Sequence, residues 1–169
     1  MLFNIIAAVD IDGGIGKNNQ LPWYNKEDLK HFSKVTRGNG NNAIIMGVNT
    51  WNSLPKKPLP RRVNIVLSSK FNCITNIKYE NTWFCNNLDQ LNSIPQFKHM
   101  EFDECWYIGG EKLYTSIINK SNIDKIIITR INGSYNCDTF FPKIPETFKL
   151  KSKEKLGDTE LDVETYTSK

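Results

Sequence analysis

Residues 6–32, IAAVDIDGGIGKNNQLPWYNKEDLKHF, constrain this chain more than any other stretch. An apolar run from Leu2 to Val9 reads as a core strand and stops at Asp10. A loop follows that holds Asp10, Asp12, Gly13, Gly14, Gly16, Asn18 and Asn19, and Leu21-Pro22-Trp23 closes it. An acidic helix start comes next. Asn25 suits the N-cap, and Asp28 stands three residues on, where its side chain can also serve the cap. Leu29, Phe32 and Val35 recur at helical spacing and give that helix one apolar face. A carboxylate therefore sits one residue before an apolar helix face, directly after a Trp and a glycine-rich loop.

The rest of the chain alternates. Residues 43–46, 63–67 and 104–108 read as short buried strands, each leading into a turn or helix, and 82–85 as another. The prolines at 55, 58 and 60 each remove a backbone donor, so 55–60 is expected to be an exposed loop. Residues 73–79 form a weak alternating pattern, and 88–94 a short helix. Helix is expected again over 111–119, with Leu113, Ile117 and Ile118 inward. Residues 125–131 are the most β-branched run and read as a central strand. Residues 135–145 read as loop, and 148–153 with 161–167 as a closing antiparallel pair. Strand–helix alternation ending in consecutive strands predicts an α/β fold whose sheet is mostly parallel with an antiparallel edge. No composition shift divides the chain, so residues 1–169 are expected to be a single domain.

In a parallel sheet, ligands bind beyond the carboxyl ends of the strands. The glycine loop at 13–16, Gly47, Ser68-Ser69 and Gly109-Gly110 all follow strands, so they should gather on one rim. Asp28 is the residue with the most distinctive setting. A lone carboxylate facing a cleft lined by Phe32, Leu54 and Ile108 would have its pKa raised by desolvation. It could accept paired hydrogen bonds from an amidine-like heterocycle, whereas as a plain capping Asp it would do no chemistry. Glu27 points about 100° away on the helix and is expected to be solvated.

Composition narrows the function classes. The formal charge of +4 is spread along the chain, which suits anionic small molecules and falls short of a nucleic-acid footprint. Cysteines at 73, 85, 105 and 137 show no C-x-x-C spacing, and only His31 and His99 stand beside them. Free thiols in a reducing compartment, with no metal site, are the expectation. No apolar run approaches the roughly 20 residues of a membrane span.

The opening stretch, together with IIMGVNTWNSL (44–54), PLPRRVNIVLSS (58–69), CWYIGGEKLY (105–114), IIITRI (126–131) and DTFFP (138–142), resembles the dihydrofolate reductase family. The six blocks fall in the family's order and cover most of the chain. The resemblance implies one twisted sheet of about eight strands with about four flanking helices. It also implies a cytoplasmic enzyme that transfers a hydride from NADPH to the pterin ring of dihydrofolate, acting as a monomer when the domain is isolated, without nucleic acid or membrane. Asp28 would then bind the pterin and promote its protonation. Trp23 would flank the pterin and fix water near that carboxylate, and Thr129 would hydrogen-bond Asp28. Ile6, Ala8, Phe32, Leu54 and Ile108 match pocket positions, and Arg62 matches an Arg that grips the substrate's glutamate α-carboxylate. On the cofactor side the resemblance points to Ala8, Ile15, Gly16, Gly47, Asn49, Thr50, Leu67, Ser68 and Ser69. It adds the run Gly109, Gly110, Glu111, Lys112, Leu113 and Tyr114, with a cis bond joining the two glycines.

One departure bears on the cofactor. Val48-Asn49 stands where the family often carries a basic residue near the 2′-phosphate. Ser68, Ser69 and Lys112 are left to recognise it, with Lys70 as an exposed contributor, so NADPH is expected to lead NADH by a reduced margin. Two other readings stay open on the residues alone. They are the same-fold pyrimidine reductase of riboflavin biosynthesis, and a catalytically silent nucleotide- or RNA-binding module suggested by Lys56, Lys57, Arg61 and Arg62. The chain could equally be the reductase part of a longer protein fused to thymidylate synthase.

Overall fold

The computed structural model describes residues 1–70, 75–76 and 79–169. In chain order the elements are β1 (Leu2–Val9), β2 (Gly14–Gly16), α1 (Lys26–Arg37), β3 (Ala43–Gly47), α2 (Val48–Ser53), β4 (Val63–Leu67), β5 (Thr75–Asn76) and β6 (Thr82–Cys85). A 3₁₀ helix (Leu88–Ser93) precedes α3 (Pro95–Lys98), β7 (Glu104–Tyr107), α4 (Glu111–Ile117), β8 (Ile123–Arg130), β9 (Thr139–Phe140), β10 (Phe148–Lys155) and β11 (Asp162–Ser168). The strand expected over 73–79 falls largely outside the described residues. The helix expected over 88–94 is instead two short pieces. Pro95, which lacks an N–H, opens the second of them.

The main sheet runs β10-β11-β8-β1-β7-β3-β4-β6-β5. From β8 through β6 the pairs are parallel, while β11 joins β8, β10 joins β11 and β5 joins β6 in antiparallel fashion. The parallel sheet with an antiparallel C-terminal edge is thus as the alternation of elements predicts. Side chains divide between the two faces with the period of two that a strand imposes. From β1, Ile5, Ala7 and Val9 enter one core with Ile45, Tyr107 and Ile126, whereas Ile6 enters the other with Ile44, Met46, Trp51 and Trp106. Among the described residues no helix is long and apolar enough to cross a membrane.

The glycine loop is held by one carboxylate. Asp10 is buried where β1 ends. Its Oδ1 accepts the N–H groups of Asp12 (2.9 Å) and Gly14 (2.8 Å), and its Oδ2 accepts from Tyr135 N (3.1 Å) and Cys137 Sγ (3.5 Å). Two segments 120 residues apart are thereby pinned together, and Asn18 N adds a bond to Asp138 Oδ2. The segment expected to be loop over 135–145 contains β9, which pairs with β2. A Cβ on Gly14 would collide with Cys137, so the approach requires glycine there.

Burial would raise the Asp10 pKa, but the N–H groups of Gly14, Tyr135 and Asp12 outweigh it and hold it below the usual carboxylate value. A lowered folded pKa adds stability above the unfolded pKa, and that stability is lost as pH falls through the folded one. Asp10→Asn should therefore cost about 1–3 kcal/mol in urea unfolding at neutral pH. The gap from wild type should close in acid below about pH 4. An unchanged midpoint at neutral pH would remove Asp10 as the fastener of these loops.

Candidate active site

Helix α1 places the central carboxylate. Asn25 caps it, its Oδ1 accepting the Asp28 N–H at 2.9 Å, so the cap is served by the Asn side chain. Asp28 is left free to face inward and is only 7% exposed. Burial raises its pKa, and a hydrogen bond from the Thr129 hydroxyl on β8 pulls partly the other way. Glu27, one residue earlier, is half exposed and lies 3.7 Å from Lys30, so it is the solvated acid expected. Two adjacent carboxylates thus have opposite environments because one helical step turns the second to solvent.

Asp28 opens into a cavity of about 950 Å³ that also meets Ile6, Ala8, Phe32, Leu54, Ile108 and Thr129. The same cavity runs on past Ile15 and Gly16, then Gly47, Asn49, Thr50 and Leu67, and reaches Gly109 through Tyr114. The strand-end glycines do share one rim. Gly109 and Gly110 are joined by a cis peptide, and Gly47 N donates to Gly109 O at 2.8 Å. A Cβ built on Gly110 would lie 3.6 Å from Thr50 Oγ1, and one on Gly47 would lie 3.8 Å from Gly109 O. Backbone of two strand ends, a threonine hydroxyl and Lys112 therefore surround one small, Cβ-free space. That donor set fits a diphosphate. Tyr114 is buried beneath it and donates its hydroxyl to Ile6 O at 2.7 Å, tying α4 to β1. Glu111 accepts the Phe140 N–H, which joins the start of α4 to the β9 segment.

Four expected site residues do not line this cavity. Trp23 is buried against Ile131 and Leu161, with its ring 5.2 Å from that of Tyr135; its indole Nε1 is buried without a hydrogen-bond partner among the described residues. Arg62 is 4% exposed, and its guanidinium donates to Thr36 Oγ1 and Pro60 O, each at 2.9 Å. It is no surface arginine of a basic loop. Ser68 is buried and Ser69 exposed, both off the cavity. Strand alternation explains the pair: Leu67 ends β4 facing the cavity, so the next residue turns to the other face.

Several lining residues were not anticipated. Leu29 and His31 come from α1; His31 lies one turn from Asp28, a spacing that could have revealed it. Burial, with Lys34 nearby, lowers the His31 pKa and keeps its imidazole neutral at pH 7. Asn87, Leu88 and Asp89 follow β6, whose carboxyl end lies on the same rim as that of β4. The rim argument reaches them once β6 is placed parallel to β4, a pairing that no local pattern announces.

The family model described as "Dihydrofolate reductase" matches residues 2–168. The chain is 39% identical over 157 residues to the viral dihydrofolate reductase of Saimiriine herpesvirus 2 (strain 488), covering 89% of this chain and 73% of that one. It is 35% identical over 153 residues to the dihydrofolate reductase of Drosophila melanogaster, covering 87% and 82% respectively. Over a further 153 residues it is 37% identical to bifunctional dihydrofolate reductase-thymidylate synthase 2 of Arabidopsis thaliana, covering 84% of this chain and 26% of that protein.

Proposed function

Because this chain belongs to the dihydrofolate reductase family, we propose that Asp28 is the group that binds and protonates the pterin in the cleft between α1 and β1. The reaction is the NADPH-dependent reduction of dihydrofolate to tetrahydrofolate. The observation that carries the role of Asp28 is its isolation. The cavity's other acids, Asp89 and Glu111, stand after β6 and at the start of α4, so Asp28 is the sole lining carboxylate among Ile6, Phe32, Leu54 and Ile108. Its raised pKa favours a proton that can be passed on at neutral pH. Its paired oxygens accept from a ring nitrogen and the neighbouring amino group. Thr129 fixes the carboxyl's orientation, and the buried indole of Trp23 shapes the loop that closes over it. Reduced nicotinamide, when bound, supplies the hydride. Gly47, Thr50, Gly109, Gly110 and Lys112 would hold its diphosphate, and Ala8, Ile15 and Tyr114 border the space for its ring. The apolar wall excludes water and aligns the reacting rings.

Arg62 supports the same reading from outside the cavity's lining. Its partner Thr36 lies eight residues beyond Asp28 on α1, or about 12 Å along the axis at 1.5 Å per residue. A folate tail running from a pterin at Asp28 along α1 reaches that end. Burial, with Arg37 nearby, lowers the guanidinium pKa to about 10, so the charge persists at pH 7. Arg62→Leu should raise KM for dihydrofolate roughly 10- to 150-fold, the cost of one charge-assisted pair. A pterin without the glutamate tail should change little, and Arg62→Lys should fall between. Equal losses on both substrates would assign Arg62 to holding α1 against the proline loop.

All 169 residues act as one reductase domain, monomeric when isolated, cytoplasmic and without nucleic acid. Gel filtration with in-line light scattering checks the monomer. The pyrimidine-reductase and silent-module readings are set aside because the family match extends over both halves of the site. Consumption of reduced nicotinamide on mixing the protein with NADPH and dihydrofolate tests the whole assignment; no dihydrofolate-dependent signal would end it.

A further inference from the structure

The cleft is uneven in charge along its length. Its rim passes outward from β1 through β7, β3 and β4 to β6. The diphosphate space lies at Gly109-Gly110 after β7 and Thr50 after β3. A dinucleotide with its nicotinamide at β1 and its diphosphate there must send its adenosine arm on past β4 to β6. At that end the cavity meets Val48, Leu67, Asn87, Leu88 and Asp89. Ser68 and Ser69, expected to receive a 2′-phosphate, lie off the cavity. Lys112 is the sole Lys or Arg among the described lining residues, and it stands in the first turn of α4 next to the diphosphate space. Asp89 is exposed at the opposite end, its N–H held by Asn87 Oδ1 at 3.0 Å. The outer end of the cleft is therefore apolar and amide-lined, with one carboxylate.

We propose that this end is suited to an unphosphorylated ribose, so that the cleft binds NADH nearly as well as NADPH, with Asp89 as the specificity-determining residue. This rests on reading the cavity as a reduced-nicotinamide site. A carboxylate beside a ribose accepts hydrogen bonds from its hydroxyls, the chemistry by which dinucleotide folds select a free 2′-OH. Toward a 2′-phosphate it has the wrong sign, since that group carries close to two negative charges. Asp89 is exposed, so the repulsion is screened; it amounts to about a 3- to 10-fold weakening of NADPH, and less at high salt. Val48 adds no donor to offset it.

Dissociation constants for NADPH and NADH, from quenching of the intrinsic tryptophan fluorescence of the full chain at low and high salt, decide the matter without turnover. Wild type should bind the two within about 10-fold of each other. Asp89→Asn should tighten NADPH about 3- to 10-fold and leave NADH level or slightly weaker, with the gain shrinking in salt. Val48→Arg should restore a preference for NADPH of 10-fold or more. A wild-type preference for NADPH beyond about 10-fold, or an Asp89→Asn variant whose NADPH and NADH affinities both stay put, overturns the inference while leaving the cofactor site intact. Binding of neither dinucleotide overturns the cofactor site itself, and this inference with it.

Discussion

Asp28→Asn is expected to lower kcat for dihydrofolate at pH 7 by about 10²- to 10⁴-fold, the range that a positioned proton donor contributes. The amide keeps the volume and one acceptor oxygen, but it carries no titratable proton. It also presents a donor where the pterin itself donates. Activity should recover partly in acid, or on a substrate already protonated, because solution then supplies the proton that Asp28 no longer passes on. In wild type the rate should fall as pH rises through the raised Asp28 pKa. The fold should survive and even gain. Desolvation raises the folded pKa above the unfolded one, so the native state binds more protons in the interval between them, and stability falls as pH rises through it. At neutral pH the buried charge is a cost that the neutral amide removes. The pair of measurements is a pH–rate profile and a urea midpoint at pH 7. Near-normal kcat at neutral pH would show that another group delivers the proton.

The second large effect is expected from Gly109→Ala. Gly109 has φ +117°, a region that residues with a Cβ rarely adopt. Space is short as well, since the added carbon would meet the Tyr114 ring at 3.2–3.3 Å. Tyr114 cannot easily give way. It is buried, packs against Phe141 at 4.9 Å between centroids, and donates to Ile6 O at 2.7 Å. Backbone strain of about 1–3 kcal/mol, with the buried hydrogen bond adding roughly 0.5–1.5, predicts a total loss of about 2–4 kcal/mol. Cofactor affinity should drop more than 10-fold, because the residue forms the wall of the diphosphate space. Tyr114→Phe separates the two causes. It removes only the bond to Ile6 and should cost about 1 kcal/mol, with the diphosphate space preserved. Wild-type stability and binding in Gly109→Ala would mean that the chain accommodates a side chain there at no cost.

Much of this protein was decided by local sequence. The alternation of apolar runs with helix starts, the Asn25 cap and the closing pair β10–β11 all act over a few residues, and each is visible without neighbours. The glycine positions fixed where backbone could come close, and following strands they implied a common rim. The environment of Asp28 was also legible, because helical geometry alone separates it from Glu27.

What only the tertiary structure decided involves residues brought together across the sheet. Asp10 looks like a loop acid in sequence, yet four donors from two distant segments make it a buried fastener. Arg62 looks like a surface charge in a basic loop, yet Thr36 and Pro60 hold it inside. Ser68 and Ser69 leave the cleft and Asp89 enters it because strand parity and the pairing of β6 with β4 set which side chains face the rim. Short-range propensity carries no information on either, since register is fixed by packing between strands far apart in the chain.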